Sequence, residues 1–375
     1  LPASSRRCDG LRQVGSGRLG WRAGPNTERT MKLKRMVNVV GVHTGGERND
    51  VITGGVLDVP GNTIFEKMRY LETQADDLRK FLLHEPRGSV TQCVNLVLPP
   101  CDPEADAGFV IMEAEYYVPM SGSNTICTVT ALLETGMIPM QEPYTDVTLE
   151  APGGLVRVRA ECRDGKCVNV RFSNVPCFVF GLDLPVEVPG LGTLKVDVAY
   201  GGMIYVLVDA QAVGFAIEPD EAGKMVEIGE RIKAAAAEQI PAVHPENPDI
   251  HTINQTLFAG PLQRGADDGL RAKNSVIVSP GRVDRSPCGT GTSARLAVMH
   301  ARGQIQPGER FVHESILGTE FIGEIAETLS VGGKPGVRPM ITGSAWITGY
   351  HQYVLDASDP LPTGYTLSDL WRKPA

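Results

Sequence analysis

The sequence predicts a mixed α/β protein of two similar halves, each a mainly antiparallel sheet with one turn-plus-helix unit. Two observations carry this. In the first, Ser286-Pro287-Cys288-Gly289-Thr290-Gly291-Thr292 opens an amphipathic stretch that ends near Gly303. Met120-Ser121-Gly122-Ser123-Asn124-Thr125 opens another that ends at Gly136. Laid together without gaps, Ser121 falls on Cys288, Gly122 on Gly289, Thr125 on Thr292, Gly136 on Gly303 and Ile138 on Ile305. The spacing is a constant 167 positions, 288 minus 121. Self-similarity at a fixed spacing marks a repeated unit, and two such units suggest two domains facing each other. In the second, the rest of the chain alternates short apolar runs with turns rich in glycine and proline. The 42 Gly and 27 Pro in 375 residues fit many short strands.

Taken in order, residues 1–35 stand apart as a tail outside the core. Their first thirty positions hold six Arg against two acids and show no periodicity. They resemble a transit peptide in composition, but a non-native or upstream-translated extension is the preferred reading. Gly15-Ser16-Gly17-Arg18-Leu19-Gly20 spells GxGxxG without the strand before it or the helix after it that a dinucleotide site needs. A first strand is expected over 37–42, leading to the polar turn His43-Thr44-Gly45-Gly46-Glu47. A helix is expected over 74–84, closed by Glu85-Pro86-Arg87-Gly88. Strands over 94–98 and 108–113 lead to the Ser121 unit. Residues 147–158, broken at Pro152-Gly153-Gly154, and 168–172 continue the sheet. Asp164-Gly165 reads as a type I′ hairpin turn with Cys162 and Cys167 across from each other.

A second half is expected from about Pro185. Strands over 193–198 and 204–209 flank Ala199-Tyr200-Gly201-Gly202. Residues 219–239 form a long amphipathic helix with proline at its start. Strands over 252–258 and 275–278 feed the Cys288 unit. Segments 315–321 and 341–347 come late, and a strand so late is expected to rejoin the first half. The expected domains are thus 36–184 plus 345–370, carrying Ser121, and 185–344, carrying Cys288.

A net charge of −8 and a pI near 5.5 argue against nucleic acid as the partner. No run approaches the ~18 apolar residues of a membrane span. The eight cysteines are scattered, with no CxxC pair. In a chain this long that is no disulfide framework, so a reducing, cytoplasmic setting is expected, with Cys162 and Cys167 as free thiols.

Cys288 is the sharpest candidate for chemistry. At a helix N-terminus the dipole favours a thiolate, and the free N–H groups can hold a carboxylate. Taken singly, Cys288 could be a small buried cysteine and Ser121 an ordinary N-cap; the echo between them favours a shared site. Asp284 fits a turn, or an amine beside the thiol. His43 and His84 sit at turns, while His244 and His251 flank a Pro-Glu-Asn-Pro loop and read as surface. HExxH, Walker, GxSxG and metal-ligand spacings are absent from the sequence. The site is therefore expected to work without cofactor or metal, removing an α-proton from an amino acid whose carboxylate the N–H groups clamp. A hydrolase using Cys288 and a non-catalytic amino-acid binder are the other readings.

From residue 36 to about 370 the chain resembles the proline racemase family. The resemblance rests on His43-Thr44-Gly45-Gly46-Glu47, Glu85-Pro86-Arg87-Gly88, Met120-Ser121-Gly122, Ala199-Tyr200-Gly201-Gly202, Asp284-Arg285-Ser286-Pro287-Cys288-Gly289-Thr290-Gly291 and Ser315-Ile316-Leu317-Gly318-Thr319. It implies the diaminopimelate-epimerase-like fold, two α/β domains each with a curved sheet around a central helix. It also implies a catalytic pair, Ser121 and Cys288, in the cleft. N–H groups of Gly122, Ser123, Gly289 and Thr290 would hold the carboxylate, Asp284 the ring nitrogen, and the Ser123 hydroxyl a ring hydroxyl. Racemases of the family carry cysteine where Ser121 stands. They and the hydroxyproline epimerases usually have histidine at Ser123 and asparagine at Met203. Serine–cysteine members resemble trans-3-hydroxy-L-proline dehydratases, so the expected reaction is dehydration of that isomer to Δ1-pyrroline-2-carboxylate. The alternative is a 4-hydroxyproline 2-epimerase or proline racemase. The expected partner is small, proline or a hydroxyproline, with no nucleic acid and no membrane; a homodimer is left open.

Overall fold

The computed structural model describes residues 33–265 and 269–371. The expectations for residues 1–30, the GxGxxG spelling and Cys8 among them, lie outside that range. In chain order the first half runs β1 (Leu33–Thr44), β2 (Glu47–Gly54), α1 (Ile64–Gln74), α2 (Asp77–Leu83), β3 (Gln92–Leu98) and β4 (Ala107–Met112). Next come β5 (Tyr117–Val118), α3 (Gly122–Glu134), β6 (Tyr144–Ala151), β7 (Gly154–Arg163) and β8 (Lys166–Ser173). The second half opens with β9 (Cys177–Val188), β10 (Gly192–Tyr200), β11 (Ile204–Asp209), α4 (Ala222–Gln239), β12 (Gln255–Ala259) and β13 (Gln263–Arg264). It continues with β14 (Leu270–Val278), β15 (Arg282–Val283), α5 (Gly289–Ala301), β16 (Arg310–Glu314), β17 (Glu320–Val331), β18 (Lys334–Gly343) and β19 (Ala345–Asp356).

The echo in the sequence extends to topology. Most neighbours are antiparallel, but four pairs are parallel: β2–β3, β4–β6, β11–β12 and β14–β16. A parallel pair needs a crossover, and each of these has helix in it: α1 and α2, then α3, α4 and α5. The β4–α3–β6 unit therefore matches β14–α5–β16. In the second half, β18–β17–β16–β14–β12–β11–β10–β9 returns to β18 and closes a ring. Helix α5 packs on five of those strands. In the first half, β19–β1–β2–β3–β4–β6–β7–β8 curves around α3 and joins the ring through β8–β18.

Helices surrounded by sheet must be covered on all sides. Every residue of α3 from Gly122 to Leu133 is buried, and most of α5 is too. Three of their threonines, Thr125, Thr130 and Thr292, are tolerated because the hydroxyl bonds back to a carbonyl four residues earlier. Thr125 Oγ1 donates to Ser121 O and Thr292 Oγ1 to Cys288 O, both at 2.8 Å, so the repeat survives in its hydrogen bonds. Gly201, in the β10–β11 turn, lies against α5. A Cβ there would sit 2.2 Å from the Thr290 carbonyl oxygen, so only glycine fits.

Several expectations change. The helix at 74–84 is two helices with a break at Ala75-Asp76, and α1 was not anticipated. Its start is capped from both directions: Thr63 Oγ1 accepts from Glu66 N, while Glu66 Oε2 reaches back to accept from Asn62 N, one residue before the cap. Pro185 lies inside β9, a strand not anticipated. Residues 219–221 are a 3₁₀ turn before α4. The 315–321 segment is mostly a turn, with β17 starting at Glu320. Asp164 and Gly165 both have positive φ, 52° and 70°, as the type I′ hairpin requires, and Cys162 pairs with Cys167 as free thiols. The late strand does rejoin the first half: β19 pairs along β1 from Thr44↔Ala345 to Leu33↔Asp356. No helix among the described residues is long and apolar enough to cross a membrane.

Candidate active site

Ser121 and Cys288 are the N-caps of α3 and α5, and the two helix starts meet. A Cβ built on Gly122 would come within 3.1 Å of the Gly289 Cα, and one on Gly289 within 3.0 Å of the Gly122 Cα. Only glycine on both sides allows that approach. Two positive helix ends with unused N–H groups thus converge. All seven residues singled out from the sequence, Ser121, Gly122, Ser123, Asp284, Cys288, Gly289 and Thr290, line one small cavity of about 20 Å³. Glu47, Cys93, Glu113, Met203, Tyr205, Gln255, Val278 and Arg282 complete its wall.

The loop before α5 is held by side chains. Asp284 Oδ1 accepts from Ser286 N and Oγ, both at 2.9 Å, and Ser286 Oγ accepts from Cys288 N at 3.0 Å. Asn274 Nδ2 donates to Pro287 O at 2.9 Å. These bonds keep Cys288 at φ 66°, a conformation a β-carbon disfavours. Its sulfur accepts from Gly291 N at 3.4 Å and shares hydrogen-bond contacts with Tyr205 OH at 3.4 Å and Thr290 Oγ1 at 3.7 Å. Tyr205 is fully buried, and its hydroxyl lies 2.6 Å from Thr290 Oγ1.

The expectation of a lowered cysteine pKa is not met. Burial pushes the Cys288 thiol well up, and the Asp284 carboxylate adds to the rise. Tyr205, Gly291 and Thr290 pull the other way without overcoming it. Desolvation outweighs the helix end. Ser121 also departs from an ordinary cap, since its side chain bonds no helix N–H. Its Oγ accepts from Asn124 Nδ2 at 2.8 Å and lies 3.4 Å from Ser123 Oγ.

Charge in the wall is concentrated on one buried pair. Arg282 Nη1 donates to Glu47 Oε1 at 2.6 Å, with both side chains almost wholly buried. Glu47 Oε2 also accepts from Arg285 N at 2.9 Å, which joins the β1–β2 turn to the Asp284 loop. The Asp284 carboxyl is pushed up to about 7, by burial first and then by Glu47, against Arg282 and Ser286. A carboxyl raised in this way binds its proton more tightly in the folded than in the unfolded chain. Its contribution to stability is complete below the ordinary value of 3.8 and is lost as pH rises through about 7. Asp284→Asn, which stays neutral, is expected to match the parent near pH 4 and to gain on it up to about pH 7.5. Urea midpoints across that range test this; a gap independent of pH would contradict it.

The histidines do not reach the cavity. His43 stacks on Trp346 with ring centroids 5.3 Å apart, and His84 packs edge-on against Trp371. His244, expected at the surface, is buried between Phe178 and Tyr200, because β9 brings Phe178 beneath the loop. No histidine contacts Cys288 among the described residues, so the arrangement lacks a hydrolase's partner base. Nor do the described residues place three or more His, Cys, Asp or Glu to hold a metal ion.

Of the wall residues missed from sequence, Glu113 left the clearest trace: a charged residue directly after the all-buried run of β4. Tyr205 and Arg282 sit in strand segments whose facing only tertiary pairing decides.

Residues 39–366 match the family model described as proline racemase. The chain is 43% identical to a solved hydroxyproline epimerase from Agrobacterium vitis holding trans-4-hydroxy-L-proline. That match has a TM-score of 0.84 and covers 91% of this chain and 98% of that one. A probable proline racemase from Agrobacterium radiobacter K84, solved with carbonate, is 42% identical over 89% of this chain and 98% of that one, with a TM-score of 0.82. A Bacillus anthracis PhzF-family protein, 12% identical with a TM-score of 0.53 over 86% of this chain and 100% of its own, shares the fold alone. That fold is diaminopimelate-epimerase-like.

Proposed function

We propose, from the premise that the chain belongs to the proline racemase family, that it is a hydroxyproline 2-epimerase working at the Ser121–Cys288 cavity. The observation that carries the reading is the glycine-to-glycine meeting of two helix N-termini, each capped by one member of the pair. The 43% identity to an epimerase holding trans-4-hydroxy-L-proline supports the substrate class. Two lobes, 36–184 with 345–370 and 185–344, close on the ligand, and the seven free thiols among the described residues favour a reducing, cytoplasmic setting.

The ligand carboxylate accepts from N–H groups of Gly122, Ser123, Gly289 and Thr290, which also hold the charge that develops as the α-proton leaves. The ring ammonium sits at Asp284. Its positive charge offsets the carboxylate that raises the thiol, so ligand binding itself favours the Cys288 thiolate. Gly291 N and one of the two hydroxyls, that of Tyr205 or Thr290, then donate to the sulfur, while the other hydroxyl donates to its neighbour. Cys288 takes the α-proton from one face, and Ser121 delivers its hydroxyl proton to the other. Asn124, already donating to Ser121 Oγ, steadies the resulting alkoxide. A cavity of about 20 Å³ holds little more than a water, so the lobes separate to admit a ring and close to exclude solvent.

A second reading is favoured by one observation, the serine itself. A hydroxyl is a far weaker acid and base than a thiol, and dehydration of trans-3-hydroxy-L-proline needs only one strong acid–base. The α-hydrogen and the hydroxyl of that isomer leave from the same ring face, so one residue can serve both.

Proton NMR in D2O separates the two readings. With trans-4-hydroxy-L-proline, deuterium is expected at Cα together with the C2 epimer. Consumption of trans-3-hydroxy-L-proline alone, giving pyrroline carboxylate, would replace the epimerase with the dehydratase.

A further inference from the structure

Glu113 is a cavity group that this chemistry leaves unused. It follows β4 directly, and its side chain is only 6% exposed. One carboxyl oxygen, Oε2, has no hydrogen-bond partner. Of the donors near it, the Tyr116 hydroxyl also acts on the carboxyl and Arg282 Nε has no partner of its own, while the rest are committed elsewhere. Arg282 Nη1 is held by Glu47, and Nη2 faces Cys93 Sγ at 3.5 Å. The Gln255 amide is best satisfied with its nitrogen donating to Ile277 O at 3.0 Å and Asn254 O at 3.3 Å. Its oxygen then accepts the Tyr116 hydroxyl at 3.3 Å. A buried carboxyl oxygen left bare is costly and marks a place where a ligand atom belongs. Burial also raises the Glu113 carboxyl toward its neutral form, which can donate through O–H and accept at the other oxygen.

With the ligand carboxylate on the helix ends and the ring nitrogen at Asp284, the remaining ring carbons face the rest of the wall, which Glu113 lines together with Cys93, Met203 and Gln255. Ser123, which the family resemblance assigns to a ring hydroxyl, has its Oγ 3.4 Å from Ser121 and so belongs with the proton-transfer pair. We propose that Glu113 is the specificity residue that reads the ring hydroxyl, so that the cavity selects hydroxylated cyclic amino acids over proline. This rests on the reading that the cavity takes a proline-type amino acid. An unsubstituted ring leaves Oε2 bare, and leaving one buried polar group unpaired discriminates by about 10- to 100-fold.

The test compares trans-4-hydroxy-L-proline, trans-3-hydroxy-L-proline and L-proline on the full chain, by calorimetric binding and by α-deuterium exchange. The proteins are the parent, Glu113→Gln and Glu113→Met. The parent is expected to prefer one or both hydroxylated ligands by about 10- to 100-fold. Glu113→Gln keeps a donor and an acceptor and should retain most of that preference. Glu113→Met should lose it by weakening the hydroxylated ligands while leaving proline binding nearly unchanged. Equal losses for all three ligands in Glu113→Met, or no preference in the parent, overturn the assignment, the latter even if the methionine variant fails to fold. Selective binding that Glu113→Met abolishes, with no exchange in the parent, would support the assignment and overturn the epimerase. Exchange with an unchanged ratio would do the reverse.

Discussion

Replacing Cys288 by alanine is expected to lower kcat/KM for α-proton exchange by roughly 10²- to 10⁴-fold, the range supplied by a positioned acid–base. Cys288→Ser makes the result specific to the thiol. The sulfur also accepts from Gly291 N as a helix cap, and alanine would lose the cap and the base together. Serine is a good N-cap, so Cys288→Ser should keep the melting temperature near the parent's and still lose the activity. Deuterium exchange into Cα and a thermal melt on each variant suffice. Exchange by Cys288→Ser within about tenfold of the parent would remove the thiolate from the mechanism. Because burial raises the thiol, the parent's rate should climb with pH through neutrality as the thiolate fraction grows. Asp284→Asn, with one carboxylate fewer beside the sulfur, should begin that climb at lower pH, whatever it loses in ligand binding.

The largest stability loss is expected at Arg282. Its guanidinium is 6% exposed, against a 2% exposed Glu47 carboxylate 2.6 Å away, and its charge also acts on Glu113 and Asp284. Removing one member of a buried ion pair strands the other, at a cost of about 3–5 kcal/mol. Arg282→Met should therefore fall in that range by urea denaturation. Adding Glu47→Gln to Arg282→Met should restore part of the loss, because the stranded charge is then gone. A double-mutant cycle measures the coupling. A loss below about 1 kcal/mol for Arg282→Met would mean that water reaches Glu47 and that the pair is not desolvated.

How far the sequence could be read depended on how local each signal was. Ser121, Cys288 and the glycines after them were legible because a helix start is written in a few adjacent residues. The echo between the two units also put both caps in one frame. Asp284 was legible as part of the same turn. Tyr205 and Arg282 were not, because a strand residue faces the cavity only through its register with partners, and the nearest contact of Tyr205 here is 83 positions along the chain. Glu47 was read in a motif, yet its bond to Arg282 spans 235 positions. Helix α1 could have been found, since Thr63 and Glu66 have the Thr-x-x-Glu spacing of a helix start. Strand β9 could not easily be: it carries Pro185 and several half-exposed residues, and it is a strand because β10 and β18 pair with it. The direction of the Cys288 ionisation was misjudged because the helix end is visible in sequence while burial is not.

The pairing of β1 with β19 bears on how the chain is made. The two strands are zipped from Thr44↔Ala345 to Leu33↔Asp356, so the first strand waits for a partner about 300 residues downstream. At ~5–20 residues per second, a ribosome needs about 15–60 s to supply it. During that interval one edge of the Ser121 half presents unpaired amides and carbonyls to solvent, the kind of surface on which nascent chains associate. The ring around α5 is likewise incomplete until β18 has emerged. Neither central helix can be fully enclosed before β18 and β19 have both been made, so the open edge needs cover in the meantime, the kind that chaperones give.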